Sequence, residues 1–332
     1  MTSYGAICIY KIEKGPIVSN DNKSIPGNVL KLCTFKVGET VRGRRIGELF
    51  FKAAFRFATA NSLEHIYLHT LTEKHEFLVD FCREFGFYHF GQYKNDDVYI
   101  KDHPQTPPCS ELSGLDYHKK YYPHFKADPE TSKYIVPIKP KFHRILFPDN
   151  QPQRTIFQQI GNSGGQVVGN AIRQAYLCHA RLHGIEKGDI LLFYRSTDMK
   201  AITSIGVVEQ VGDYQNANEI MQLVAKRTVY SQDEITEMAR KQTKILLFRI
   251  ALHLPENIRF KWLTEHEIVK GNIQTIRRII PWLPMRLFRC FTSHSHTDML
   301  NNLFWKMSFN RETDLHKREG KKQSLSLSAA YT

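Results

Sequence analysis

The sequence has few cysteines, and none of them stand at the spacings that hold a metal ion. Its six cysteines lie far apart without a CxxC pair, so they predict neither a zinc site nor a disulfide framework. Scattered single thiols are typical of a reducing compartment, and we expect the cytoplasm. We predict no metal centre.

Long apolar runs are also missing. No run approaches the roughly 20 apolar residues that a helix needs to cross a bilayer, and the first residues show no signal-peptide pattern. The chain is 42% hydrophobic and 24% charged, which is typical of a globular protein without a membrane partner. Its 332 residues are enough for two domains with their own cores.

Positive charge is unevenly distributed. Residues 1–105 contain 14 Lys and Arg against 12 Asp and Glu, so they carry +2 of the formal net charge of +13 and leave +11 for the rest. An excess of positive charge favours polyanions such as RNA or DNA. The sequence therefore predicts that any nucleic-acid partner binds mainly the second half.

Residues 30–47 are the stretch around which the first half is organised. A β-rich run is followed by a loop and by a helix whose apolar positions recur at helical spacing. The start of such a helix offers free N–H groups and a positive dipole end, which suits a phosphate. Gly43 allows close backbone approach, and Arg42, Arg44 and Arg45 add charge. The alternative is an ordinary strand–loop–helix with a solvated basic face.

Residues 37–47 resemble the pyrophosphate loop of the GNAT N-acetyltransferase superfamily, Val-x-x-x-x-(Gln/Arg)-Gly-x-Gly-x-(Gly/Ala). Arg45 stands where that family usually has Gly, a change that narrows the space near the phosphates or adds a cation for them. The resemblance implies acetyl-CoA as co-substrate, bound by Phe35, Val37, Val41, Arg42, Gly43, Arg44, Arg45, Ile46 and Gly47.

The remaining elements of residues 1–103 fit the same resemblance. We predict strands at 4–12, 30–37, 63–70, 88–93 and 97–101, and helices from about 44 and over 73–85. In the GNAT family a strand, two helices and a further strand precede this point. The resemblance therefore implies a partial mixed sheet with flanking helices. It is either a reduced fold or, as we favour, a shortened form of a longer protein that carries a PIN-like domain ahead of it.

The resemblance also indicates one catalytic candidate. Many members have a Tyr that protonates the departing thiolate, and Cys82 stands at that position. A thiol can donate a proton, but a cysteine on an apolar helical face is more commonly a small buried hydrophobe. His69 and Glu73 are weaker candidates for a general base.

Residues 104–132 are interpreted as a linker with a short helical piece. The aromatic and basic cluster at 117–125 either stacks bases or docks one domain on the other. A second domain is expected over 133–290, with strands near 134–140, 188–196, 201–211 and 245–253, a helix over 171–183 and another from Ser231. The glycine-rich stretch 161–169 lacks the Walker spacing. The tail is 291–332, and residues 311–332 are expected to be disordered.

The second domain resembles the PUA-like superfamily, in particular its EVE and ASCH domains. The resemblance is carried by residues 170–176, 187–194 and 205–209. It implies a small β-barrel with a cleft that holds RNA or a flipped base. Arg173, Tyr194, Arg195 and Ser196 are the candidate nucleic-acid contacts.

Two functions remain open at this point. The first is an acyl-CoA-dependent N-acetyltransferase coupled to a nucleic-acid-binding module. The second is a non-catalytic acyl-CoA-binding or vestigial GNAT core on an RNA- or DNA-binding reader. Both predict an α/β (α+β) chain with acetyl-CoA at one end and RNA or DNA at the other.

Overall fold

The computed structural model describes residues 4–15, 17–148 and 171–279, together with a strand at 322–328. The protein is of mixed α+β class, as predicted. The first half contains β1 Tyr4–Lys14, β2 Ile17–Val18, β3 Ser24–Ile25, β4 Asn28–Val37, α1 Ile46–Ala60, β5 His65–Thr70, α2 Glu76–Glu84, β6 Tyr88–Tyr93 and β7 Asp96–Asp102. The second half contains α3 Gly114–Tyr121, β8 Lys133–Ile138, α4 Pro140–Leu146, β9 Arg173–Cys178, β10 Ile190–Arg195, β11 Ala201–Tyr214, α5 Ala217–Val224, α6 Gln232–Met238, β12 Thr243–Arg259, α7 Phe260–Glu265 and β13 Arg277–Ile279.

The first sheet is mixed. Its described strands have the order β14-β1-β4-β5-β7-β6, in which β14 is Lys322–Ser328. β4 runs parallel to β5, and the other neighbours are antiparallel. A parallel pair needs a crossover, and α1 supplies it between β4 and β5. The strands and helices predicted for residues 4–101 are observed.

The C-terminal tail contains a strand that was not expected. β14 pairs antiparallel with β1 from Tyr4–Ser328 to Lys11–Lys322. The prediction of disorder for 311–332 is wrong for these seven residues. Serine and leucine alternate in this segment with the period of a strand, but it is short and poor in apolar residues. The remainder of the tail lies outside the described residues.

Helix α1 packs on the first sheet through a cluster of aromatic rings. Phe51 is fully buried and stacks on Phe81 with a centroid distance of 4.9 Å. Phe35, near the end of β4, lies 5.1 Å from Phe51. These contacts hold the start of α1 close to the carboxyl end of β4, because both elements bury their rings in one core.

The second sheet is open within the described residues. Its order is β13-β8-β10-β11-β12-β9, and the two outer strands each pair with one neighbour. β8 and β10 are parallel, whereas the other pairs are antiparallel. The closed small barrel expected for the PUA-like resemblance is therefore not found here. Helix α6 confirms the helix predicted from Ser231, whose side chain forms a capping box with Glu234.

The helix predicted over 171–183 is wrong, because β9 occupies its centre and pairs with β12. Ala175 and Leu177 pack against α5 and α6, whereas Tyr176 packs against the core on the other face. When both faces of a short apolar segment are buried, its spacing does not distinguish a strand from a helix. The stretch 161–169 lies outside the described residues.

The linker docks the two halves. Tyr117 and His118 on α3 are buried, and so is His124. The ammonium of Lys101 on β7 donates to the carbonyl oxygens of Lys119 and Lys120, at 3.0 and 2.7 Å. A cation at the last carbonyls of a helix is favourable. The docking alternative for the cluster at 117–125 is the one that these contacts support.

Three buried histidines make folding sensitive to acid. Burial is the largest cause that lowers the pKa of His103, His118 and His143 to about 3. A histidine in the unfolded chain titrates near 6.5, so between that pH and 3 the unfolded state binds more protons. The free energy of unfolding therefore decreases as the pH falls from about 6.5 towards 3.

We predict that His118→Asn reduces this loss. The Asn amide can replace ring Nδ1, which lies 2.8 Å from the carbonyl oxygen of His124, but it binds no proton. The free energy of unfolding is measured with urea at pH 7 and at pH 5. Between these two pH values it should decrease by about 2 kcal/mol less in the variant than in the parent. His183→Asn, at an exposed position, is the control and should keep the parent's pH dependence. An unchanged pH dependence in His118→Asn would contradict the conclusion that buried His118 contributes to the acid sensitivity.

Candidate functional site

A cleft of about 800 Å³ lies in the second half, at the ends of two parallel strands. Ile138 is the last residue of β8, and Tyr194 and Ser196 lie at the end of β10. The opposite walls come from β9 and the residues after it, and from the segment 272–276. Crevices at the carboxyl ends of parallel strands are common ligand sites. We call this feature the aromatic cleft.

Five rings give the aromatic cleft its name: those of Phe142, Tyr176, Tyr194, Tyr230 and Phe260. Phe142 and Tyr230 are in contact, with centroids 4.7 Å apart. The hydroxyl of Tyr176 donates to the carbonyl oxygen of Pro137 at 2.7 Å. Burial raises the pKa of Tyr230 to about 12, so this hydroxyl stays protonated at neutral pH. The rings offer faces for stacking more than titratable groups.

Two lysines stand at the rim of the aromatic cleft. Lys139 follows β8, and Lys200 precedes β11; both side chains are exposed. Among the described residues neither ammonium has an ion pair with a carboxylate, unlike the neighbouring Lys141, which lies 3.2 Å from Glu234. The rim is therefore positively charged. Unpaired lysines beside aromatic faces suit phosphates that are attached to flat rings.

The four predicted nucleic-acid contacts are separated in the structure. Tyr194 and Ser196 line the aromatic cleft, although Tyr194 is only 4% exposed. Arg195 is bound to Asp198, with Nε 2.9 Å from Oδ1. Arg173 lies at the contact between the halves, 3.2 Å from Glu84 and 3.0 Å from Glu209. The two arginines are engaged by carboxylates outside the cleft lining.

Sequence reasoning missed most of the cleft lining. The missed rings and lysines come from elements far apart in the chain: Lys139, Phe142, Tyr176, Lys200, Tyr230 and Phe260. Lys139, Lys200 and Phe260 stand next to strand ends, whereas Phe142, Tyr176 and Tyr230 lie in a helix, inside a strand and in a loop, so no single sequence signal joins the set. The set identifies a site only once the strand neighbours are known.

The predicted phosphate loop has a strained backbone immediately before α1. Gly43 has φ +78° and Arg45, the N-cap of the helix, has φ +55°. Glycine adopts this left-handed conformation most easily, so an arginine is an uncommon residue at position 45. Arg42 is exposed and lies 3.6 Å from Glu39. Arg44 is partly buried.

A carboxylate that the sequence analysis did not consider lies in the first turn of α1. Glu48 is buried, pairs with Arg45, and accepts hydrogen bonds from the backbone N–H groups of Ile172 and Arg173 at 2.8 and 3.1 Å. A carboxylate is favourable at a helix N-terminus. Among the described residues, Nε of Arg45 is buried without a hydrogen-bond partner. The guanidinium therefore retains one unused donor at this point.

The apolar members of the predicted cofactor set belong to the core. Ile46 is 3% exposed, and Phe35, Val37 and Val41 pack against the same cluster. A Cβ on Gly47 would lie 3.1 Å from the ring of Phe81, so this glycine is explained by close packing of the helix. These residues shape the loop through packing.

The first sheet opens next to this loop. β4 and β5 pair over four positions only, from Val29–His65 to Leu32–Leu68, although β4 continues to Val37. β4 also contains an extra residue at Cys33, because Leu32 and Thr34 oppose the consecutive residues Tyr10 and Ile9 of β1. A bulge bends its strand. Within the described residues, the carboxyl half of β4 thus has no strand partner on the β5 side.

Cys82 lies inside the core. Its side chain is fully buried on α2, and burial raises the pKa of its thiol to about 12. A buried thiol with a raised pKa is a poor proton donor at neutral pH. The proton-donor role of Cys82 stays a prediction, and burial of the thiol is unfavourable for it. Packing in the core is sufficient to explain a cysteine at this position.

The described part of the chain contains no group of three His, Cys, Asp or Glu side chains placed to hold a metal ion. Within the same residues, every helix is too short or too polar to cross a membrane.

The comparisons with known proteins give only distant likenesses to solved structures. No protein-family model and no curated protein match the sequence. The chain is similar to the crystal structure of ASCH from Zymomonas mobilis, with 9% identity, a TM-score of 0.36, and coverage of 47% of this chain and 94% of that one. It is also similar to Rpa0253 from Rhodopseudomonas palustris, with 10% identity, a TM-score of 0.23 and coverage of 55% and 100%. For human THYN1, whose structure is a complex with DNA that contains 5-methylcytosine, the identity is 8%, the TM-score 0.23 and the coverage 53% and 100%. At such values the function has to be argued from this chain's own side chains.

Proposed function

We propose that the second half binds nucleic acid in the aromatic cleft. The observation that carries this proposal is the combination of five aromatic rings with the ammonium groups of Lys139 and Lys200 at the rim, neither of which has an ion pair among the described residues. Bases stack on aromatic faces, and each stacked base contributes about 1–3 kcal/mol. The two rim lysines bind the phosphates next to the stacked base. The ligand class is RNA or DNA with an unpaired or flipped base.

The volume and the charge of the site agree with this ligand class. A volume of about 800 Å³ is large enough for one nucleotide and part of its neighbours. The residues outside 1–105 carry a net +11 of the formal charge, which attracts polyanions from a distance. Charge provides affinity without sequence preference, whereas the rings provide a place for a base.

The proposal predicts a reduced salt dependence when the rim lysines are removed. In Lys139→Gln/Lys200→Gln, each lost phosphate contact should lower the slope of log K against log salt by about 0.7 on a single strand. The measurement is fluorescence anisotropy of a labelled single-stranded oligonucleotide at several salt concentrations. Lys187→Gln is the matched control, because Lys187 is exposed but does not line the cleft. Equal slopes in the double variant and in the control would contradict nucleic-acid binding in the aromatic cleft.

We propose acyl-CoA binding at the first sheet as a second candidate function. It is supported by the carboxyl half of β4, which within the described residues has no strand partner on the β5 side and ends beside the start of α1. The amide groups of an extended pantetheine chain can hydrogen-bond to such an edge, and phosphates suit the free N–H groups of a helix start. The unused Nε of Arg45 and the exposed Arg42 add donors and charge.

Acetyl-CoA would supply an activated acyl group for transfer to an amine. The role of this chain would be to bind and orient the thioester, which lowers the entropic barrier to transfer. An N-acetyltransferase and a non-catalytic acyl-CoA-binding core both follow from the same site. They differ in turnover, which a thiol-release assay with mixed amine acceptors measures.

The second candidate function is tested by measuring acetyl-CoA binding to the Gly43→Asp variant. The change adds a side chain at φ +78° and a negative charge at the helix start, so calorimetry should show at least a tenfold loss of affinity. Gly27→Asp is the matched control, because Gly27 also has a positive φ and open space around a Cβ. If both variants bind acetyl-CoA as the parent does, the cofactor site is not at this loop.

A further inference from the structure

A second cavity, of about 470 Å³, lies on the first sheet. On β5, Ile66 and Leu68 pack towards α1, so the alternating residues Tyr67 and His69 face the other side of the sheet. The hairpin of β2 and β3 covers part of that side through Ile17 and Val18. We call this feature the far-face cavity, and it is distinct from the aromatic cleft and from the loop before α1.

The far-face cavity has more positive charge than its carboxylate neutralises. Glu13 already binds the ammonium of Lys11 at 2.5 Å and accepts a hydrogen bond from the hydroxyl of Tyr67. Lys31 is farther from Glu13, at 3.9 Å. Lys14 is exposed and has no ion pair among the described residues. The two lysines of the lining therefore keep donors for an anion.

The rings of the cavity form a tilted cluster whose outermost member, Tyr93, is partly exposed. His69 lies between Tyr67 and Tyr93, with centroid distances of 5.4 and 5.3 Å. Tyr93 remains 40% exposed. Nε2 of His69 is buried without a hydrogen-bond partner in the part of the chain that the structure describes, and a buried polar atom of this kind is costly unless a ligand group or water bonds to it. Burial lowers the pKa of His69, which favours the neutral ring.

We propose that the far-face cavity binds a small phosphate ester that carries a flat, hydrogen-bonding ring, the chemistry of a nucleoside monophosphate. Lys14 and Lys31 hold the phosphate. Tyr93 stacks on the flat ring, and His69 provides one hydrogen bond through Nε2. The cavity volume is in the range of small-molecule sites. This site does not depend on either function proposed above.

Isothermal titration of the full chain with AMP, GMP, CMP and UMP tests the proposal. At least one of them should bind with one-to-one stoichiometry. Inorganic phosphate and the matching nucleoside should bind at least tenfold more weakly, because each lacks one half of the recognised chemistry. Lys31→Met and Tyr93→Leu should each weaken binding at least tenfold.

Two variants on the same strands are matched controls. Lys36→Met on β4 and Tyr88→Leu on β6 change exposed side chains outside the cavity lining and should keep the parent's affinity. Lys200→Gln, at the aromatic cleft, should also keep it. The proposal is overturned if no monophosphate binds saturably, if binding survives both Lys31→Met and Tyr93→Leu, or if Lys200→Gln is the variant that loses it.

Discussion

The arrangement of the two halves depends on a buried group of charges around Glu209. Its carboxylate lies 3.0 Å from Arg173, 3.5 Å from Arg249 and 3.7 Å from Arg227. Burial alone would raise the pKa of Glu209, but these guanidinium groups outweigh it and hold the pKa below its ordinary value. Arg249 is 1% exposed and donates to the backbone carbonyl of Glu84 at 2.9 Å. Removal of the Glu209 carboxylate would leave the buried guanidinium of Arg249 without this partner, and an uncompensated buried charge costs about 3–5 kcal/mol.

The same group of charges determines the surroundings of the helix start. Arg173 belongs to β9 and bridges Glu209 to Glu84 of the first half, while its backbone N–H reaches Glu48 in the first turn of α1. The start of α1 is therefore also part of the contact between the halves. A ligand at the loop before α1 acts next to this contact, whereas the aromatic cleft and the far-face cavity are lined by other residues.

The predictability of the fold followed the length of each segment. The spacing of apolar residues predicted α1 because its 15 residues are long enough to show a helical period. The same reasoning failed for residues 173–178, which are buried on both faces. The PUA-like resemblance named Arg173 and Arg195 as nucleic-acid contacts, and their carboxylate partners Glu209 and Asp198 become visible only in three dimensions. The aromatic cleft joins residues from several distant segments, so a sequence without its strand order does not assemble it.

Photo-crosslinking tests the central claim, nucleic-acid binding in the aromatic cleft, most directly. A single-stranded oligonucleotide with 4-thiouridine would be irradiated with the full chain, and the crosslinked peptides identified by mass spectrometry. If nucleic acid binds in the aromatic cleft, we expect crosslinks to peptides that contain Phe142, Tyr194 or Tyr230. Crosslinks confined to the first half or to residues 291–332 would contradict it.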